Sequence, residues 1–195
     1  MGNKIKGLIL ASALIAGTAS ADLRYTYAEG GIAIVDADYS QTFLGFDLRG
    51  SYLVNENIFA FGGLRMLTDD LDYTNWHLGG AYRHALDAKT DVWAGASLEY
   101  QEIDGGKECF ATFSGTECHS WSFDDTAPAI RGGIRHQFDE NIELGASARI
   151  VTGDLDYVGL TGQGRYRIQD DLSVTGEVDL QDGNLGLFGG VTYFF

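Results

Sequence analysis

The segment "LSVTGEVDLQ" (172–181) alternates without a break. Leu172, Val174, Gly176, Val178 and Leu180 share one parity, and Ser173, Thr175, Glu177, Asp179 and Gln181 share the other. Successive side chains of a β-strand point to opposite faces, so this period of two predicts a strand with one apolar and one polar face. "IELGASARI" repeats the pattern, with Ile142, Leu144, Ala146, Ala148 and Ile150 set against Glu143, Gly145, Ser147 and Arg149. In "DVWAGASLEYQ", Val92, Ala94, Ala96, Leu98 and Tyr100 oppose Gly95, Ser97, Glu99 and Gln101. In "VGLTGQGRYRI", Val158, Leu160, Tyr166 and Ile168 oppose Thr161, Gln163, Arg165 and Arg167.

Two sets of connections alternate between these runs. Short polar turns occur at 54–57, 85–90, 138–141 and 168–171. Acidic connections of varied length occur at 36–42, 68–72, 104–120, 152–156 and 181–184. Short turns at one end and longer loops at the other describe an up-and-down transmembrane barrel. The expected strands are 24–35, 43–54, 58–67, 73–84, 91–102, 121–137, 142–151, 157–168, 172–181 and 184–195. Most are near the 9–11 residues that a tilted strand needs to cross a bilayer. The fold class is therefore all-β, an antiparallel barrel of ten strands, with residues 22–195 as one domain. The first strand leaves an alternative of eight. There Leu23, Tyr25 and Tyr27 share one parity and Ile32 and Ile34 the other, so Gly30-Gly31 is a candidate for a bulge that switches face.

The same alternation serves a soluble sandwich with its apolar face inward and a membrane barrel with its apolar face outward. Charge type separates them. The chain has nine Arg and four Lys, and Lys89 and Lys107 lie in connections while Lys4 and Lys6 lie near the start. A solvated strand surface mixes Lys with Arg, whereas Arg confined to strand faces suits multivalent pairing with carboxylates in a packed lumen. The expected lumen network comprises Arg49, Arg65, Glu99, Arg131, Arg149, Arg165, Glu177 and Asp179. Tyr52, Tyr82, Phe138, Tyr166, Tyr193 and Phe195 have apolar-face parity near the short turns, and Trp76, Tyr100 and Trp121 fall near the loops. That is the distribution of two aromatic girdles.

The N-terminus sets the compartment. Lys4 and Lys6 precede an apolar run of nine, Leu8–Ala16, and an Ala19-Ser20-Ala21 cleavage pattern. Residues 1–21 therefore read as a signal peptide, too short in its apolar run to span a bilayer. Its removal leaves 11 basic and 28 acidic residues, a formal charge of −17. Such acidity argues against a nucleic-acid partner. Export agrees with a disulfide between Cys109 and Cys118. A zinc site would add His119 but has no evident fourth ligand.

The chain ends "LGLFGGVTYFF", with Val191, Tyr193 and Phe195 on one parity and Phe195 terminal. This resembles the C-terminal insertion signal of bacterial outer-membrane barrels. Together with the signal peptide, the mature chain resembles the small outer-membrane β-barrel superfamily, including OmpA-barrel and OmpX-like proteins and porin-like barrels. The resemblance implies an integral outer-membrane protein of a Gram-negative envelope. It implies lipid and lipopolysaccharide as surroundings, and periplasmic chaperones and the barrel-assembly machinery as partners. No cofactor is implied.

A structural or surface-interaction barrel with a plugged polar lumen is the function expected, and a narrow channel for ions or small solutes is its main competitor. A lipid-modifying enzyme would need a nucleophile and base held together. His77, His84, His119 and His136 offer only the His119-Ser120 neighbours, which face opposite ways on a strand, and no catalytic residue is assigned. Asp36, Asp38, Asp69, Asp70, Asp72, Asp154 and Asp156 cluster in the acidic loops, where divalent cations are candidate partners. Deleting Phe195 is expected to slow membrane assembly. Pulse-labelled cells should then accumulate protease-sensitive chain in the periplasm, and assembly at the wild-type rate would dismiss the terminal signal.

Overall fold

The computed structural model describes residues 23–37, 41–69, 71–112 and 115–195. The predicted signal peptide, 1–21, lies outside them. Ten strands follow one another: β1 (Tyr27–Ala37), β2 (Gln41–Leu53), β3 (Ile58–Thr68), β4 (Asp72–Ala85), β5 (Thr90–Thr112), β6 (Gly115–Gln137), β7 (Ile142–Val151), β8 (Tyr157–Gln169), β9 (Leu172–Gln181) and β10 (Asn184–Phe194). Each pairs antiparallel with its sequence neighbours, and β1 pairs with β10, so the sheet closes on itself. Tyr27 lies opposite Ser51, and the ladder runs on through Phe61, Gly79, Ser97, Ala129, Val151 and Tyr157. Continued through β9 and β10, this register returns to β1 about 12 residues further along. Ten strands with that stagger tilt by roughly 40° to the barrel axis.

The alternation now has a direction. Phe46, Leu48, Leu78, Leu98, Ile130, Ile150, Leu160, Val178 and Leu187 are exposed on the outer surface. Asp47, Arg83, Glu99, Arg135, Glu143, Arg165, Glu177 and Asp179 are buried on the inner one. Such an inversion of the soluble pattern has one ordinary meaning, an outer face solvated by lipid. Tyr52, Tyr82, Phe138, Tyr166, Tyr193 and Phe195 form an exposed ring near the short turns. Trp76, stacked on Tyr100 at 5.6 Å, and exposed Trp121 and Phe123 lie near the other end.

Three of the short turns use one device. Asn55 Oδ1 accepts from the N–H groups of Asn57 and Ile58, and Asp139 Oδ1 from those of Asn141 and Ile142. Asp87 accepts from Lys89 N–H and the Thr90 hydroxyl, which hold its carboxyl below the usual carboxylate range. A short Asx side chain thus replaces the missing ladder partner and reverses the chain in four residues. At the opposite end, Asp182 and Gly183 both take positive φ (46° and 94°), as a two-residue hairpin turn of this hand requires.

Two expectations need correction. Gly30-Gly31 hosts no bulge, because β1 keeps an unbroken register with both β2 and β10. Leu23 and Tyr25 are instead buried inside the barrel, so the parity change marks a change in what fills the lumen, from aromatic to charged. The second correction concerns 104–120, expected as a loop. Apart from two tip residues outside the described set, β5 and β6 continue through it as a paired arm. The register shifts between Asp104 and Lys107, where Gly106 takes φ 68° and its N–H donates to Asp104 Oδ1. Polar, Gly-rich composition suggested a loop, but the cross-strand Cys109–Cys118 disulfide makes the two segments partners.

Val178 faces lipid in the middle of β9. Val178→Arg should destabilise the barrel by roughly 2–4 kcal/mol and Val178→Thr by much less. Denaturant titration of protein folded into bilayers measures both, and equal stability of Val178→Arg and wild type would reverse the facing.

Candidate functional site

The lumen holds the only large cluster of charged side chains among the described residues, and the register builds it. Glu29 lies opposite both Arg49 and Thr192, Asp47 opposite Arg65, Glu143 opposite Arg165, and Asp179 opposite Thr161. All of these side chains point inward. The pairs then join across the interior, between strands that are not neighbours. Arg165 Nη2 lies 3.1 Å from Glu29 Oε2, Arg49 Nη1 2.7 Å from Glu177 Oε2, and Arg65 Nη1 3.7 Å from Asp179 Oδ2.

The result is one continuous chain. Arg135 donates twice to Glu143, at 2.8 and 2.9 Å, and Glu143 also accepts from Arg165. Arg165 reaches Glu29, which touches Arg49 at 3.3 Å. Arg49 contacts Asp47 and Glu177; Arg65 bridges Asp47 and Asp179; Arg149 grips Asp179 with both Nη atoms at 2.8 and 2.7 Å. Five guanidiniums meet five carboxylates. Two further pairs stand beside it, Arg131 with Glu99 and Arg83 with Asp91. The carboxylates take hydroxyl donors as well: Thr175 and Thr192 on Glu29, Ser97 on Glu99 and Thr161 on Asp179.

Arginine suits this place better than lysine because its planar fork donates to two acids at once. The guanidiniums also need room. A Cβ built at Gly159 would lie 2.5 Å from Arg149 Cζ, and one at Gly63 3.0 Å from Arg49 Cγ. Glycine on the inner face is where those side chains lie flat against the wall.

Aromatic and aliphatic side chains close the short-turn end. The segment 23–26, ahead of β1, carries Leu23 and Tyr25 into a cluster with Phe59, Ala81, Leu53, Phe61 and Trp93. Arg83 Nη1 donates to Leu23 O and Arg135 Nη2 to Arg24 O, at 3.2 and 3.0 Å. The same two guanidiniums lie over the Tyr25 ring, 4.8 and 4.3 Å from its centroid. Arg24 donates to Asp170 O across the opening and covers Phe194. Toward the loop end, Ala33, Leu67 and Phe188 form one apolar cluster and Ala127, Ala129, Val151 and Tyr157 another. Between these layers lies a cavity of about 180 Å³ that reaches from Tyr25 to Gln181.

Of the residues expected in the lumen, Arg49, Arg65, Arg149, Arg165, Glu177 and Asp179 belong to the continuous chain, and Arg131 and Glu99 to a separate pair. Sequence reasoning left Glu29, Asp47, Arg135 and Glu143 out of that set. Glu29 shares a parity with Tyr25 and Tyr27, which hid its facing. Asp47, Arg135 and Glu143 stood on polar faces, but without the closed barrel nothing showed which acid each base would meet. Cys109 and Cys118 are bonded at the arm. Val191, Tyr193 and Phe195 line one exposed row of β10 and the C-terminus, with Tyr193 and Phe195 rings 5.2 Å apart. Asp36, Asp69, Asp72, Asp154 and Asp156 lie at the loop end, while Asp38 and Asp70 are outside the described residues. Among the described residues no three His, Cys, Asp or Glu side chains converge as metal ligands.

No family model matches the sequence, and no curated protein matches it either. Solved structures do. The KdgM porin, solved in complex with disordered oligogalacturonate, is 12% identical and superposes with a TM-score of 0.51, covering 87% of this chain and 99% of that one. The NanC porin is 9% identical, with a TM-score of 0.47 and the same coverage. Ail of Yersinia pestis is 14% identical with a TM-score of 0.43, covering 88% and 99%. What the KdgM likeness shows is the fold, a closed antiparallel β-barrel.

Arg165 joins Glu29 to Glu143. Arg165→Met would leave Glu143 with Arg135 and Glu29 with Arg49, one buried positive charge short, and should cost about 3–5 kcal/mol, as removing one member of a buried charge group does. Adding Glu29→Gln should recover part of that loss in the same denaturant titration. A single variant as stable as wild type would show that the chain of pairs is not coupled.

Proposed function

We propose that this chain is an integral outer-membrane barrel whose lumen is plugged, and that it acts by structure or by its outward surface. One observation carries this reading: the lumen has an apolar floor at its short-turn end and, above it, charged side chains that bind one another across the interior. An ion crossing here would have to displace Tyr25 from between two guanidiniums and break pairs made in low dielectric. The apolar outer belt fits bilayer lipid and lipopolysaccharide. In this reading the row Val191, Tyr193 and Phe195 serves as the signal for chaperones and the assembly machinery. The β5–β6 arm, extending past the barrel rim with Trp121 and Phe123 exposed, is the surface available to partners.

A narrow channel is the second reading. The 180 Å³ cavity favours it, with room for on the order of ten waters beside the charged chain. Planar-bilayer recording separates the two. The wild-type protein should give no reproducible unitary steps, whereas Leu23→Ala with Tyr25→Ala, which thins the floor, should give measurable leak. Discrete openings in the wild type would replace the plugged reading with the channel.

A further inference from the structure

We infer that the lumen cavity is a binding site for a small oxyanion, held by the guanidinium groups that line it. An Arg carries five N–H donors and a carboxylate about four acceptor positions. A guanidinium paired with one carboxylate therefore keeps donors for a second acceptor.

Side-chain exposure separates the bases from several of their acids. Arg49, Arg65, Arg131 and Arg149 keep 12–19% of their side-chain surface accessible. The carboxylates that pair with them, Glu29, Asp47, Glu99, Glu177 and Asp179, keep only 0–7%. At these positions the acids are set into the wall and the bases face inward, whereas Glu143, at 11%, is more accessible than Arg135 and Arg165. Of the members of these pairs, six guanidiniums but only four carboxylates line the cavity.

His77 lies on the same wall, against Phe61 at 6.1 Å and within the field of Arg131, Arg49, Arg65 and Arg149. What enters such a space is favoured if it accepts several hydrogen bonds in a plane and carries negative charge. Sulfate, phosphate and small carboxylates do both. A cation meets recessed acids already bonded to Arg. This inference goes beyond the plugged-barrel reading and is independent of it, because a closed lumen and a conducting one hold the same guanidiniums.

The test uses the full mature protein, 15N-labelled and folded in lipid nanodiscs, with sulfate titrated against chloride at constant ionic strength. Arginine Nε–H resonances of Arg49 and Arg131 and the His77 ring should shift saturably with sulfate, and Arg24 at the short-turn end should not. Arg131→Gln combined with Glu99→Gln removes a guanidinium without stranding its acid, and should weaken binding about tenfold. Arg131→Lys keeps the charge and the pair but removes the fork, and should weaken it less. The unheated-gel mobility of each variant reports that the barrel has folded. Absence of saturable shifts in the wild type, equal shifts at Arg24, or unchanged affinity in a folded double variant would each overturn the site.

Discussion

Backbone hydrogen bonding is the constraint from which the other features follow. In hydrocarbon every unpaired N–H or C=O costs several kcal/mol, so a sheet can cross only if it has no edge. The pairing of β1 with β10 removes the last one. Closure then fixes two surfaces of different character from a single alternation. One parity must dissolve in lipid, and the other must fill a space too narrow for bulk water and too polar for a hydrocarbon core. Stagger and strand number set how much space that is, and the residues on the inner parity are those that fill it.

Charged filling works here because of how the pairs are distributed. A buried ion pair between neighbouring strands stabilises little once its desolvation is counted. Contacts such as Arg49 to Glu177 and Arg165 to Glu29 do something else: they tie strands that share no ladder hydrogen bonds. Opening the sheet at one seam therefore exposes charges across the barrel. The network acts as a cross-brace, and its worth lies in specifying one closed arrangement of ten similar hairpin strands.

The fold was legible because it is written in a local, periodic code. "LSVTGEVDLQ" announces its two faces by itself, and three turns carry Asn55, Asp87 or Asp139 at the position that caps the reversal. The arm was not legible, since polar, Gly-containing residues serve a solvated hairpin and a loop equally well, and only pairing between Cys109 and Cys118 tells them apart. The lumen was half legible. Parity showed that Arg165 and Glu177 point inward, but a pairing such as Arg165 with Glu29 joins residues 136 apart and exists only after closure. The floor was missed for a related reason. Leu23 and Tyr25 look like the start of a lipid-facing strand, and their burial depends on two guanidiniums supplied by β4 and β6.

The position of the disulfide gives the arm a mechanical character. Beyond Cys109 and Cys118, three paired positions lie among the described residues: Phe110 with Glu117, Ala111 with Thr116 and Thr112 with Gly115. A pull applied at the tip loads a hairpin one rung at a time, the geometry in which strands separate most easily. Here peeling stops after those three rungs, at a covalent bond. Force is passed from there down β5 and β6 into the wall, where β4 holds β5 over Asp91–Asp104 and β7 holds β6 over Ala129–Gln137. The arm is thus a stiff lever rooted in the wall, and tension on its end is borne by the barrel as a whole.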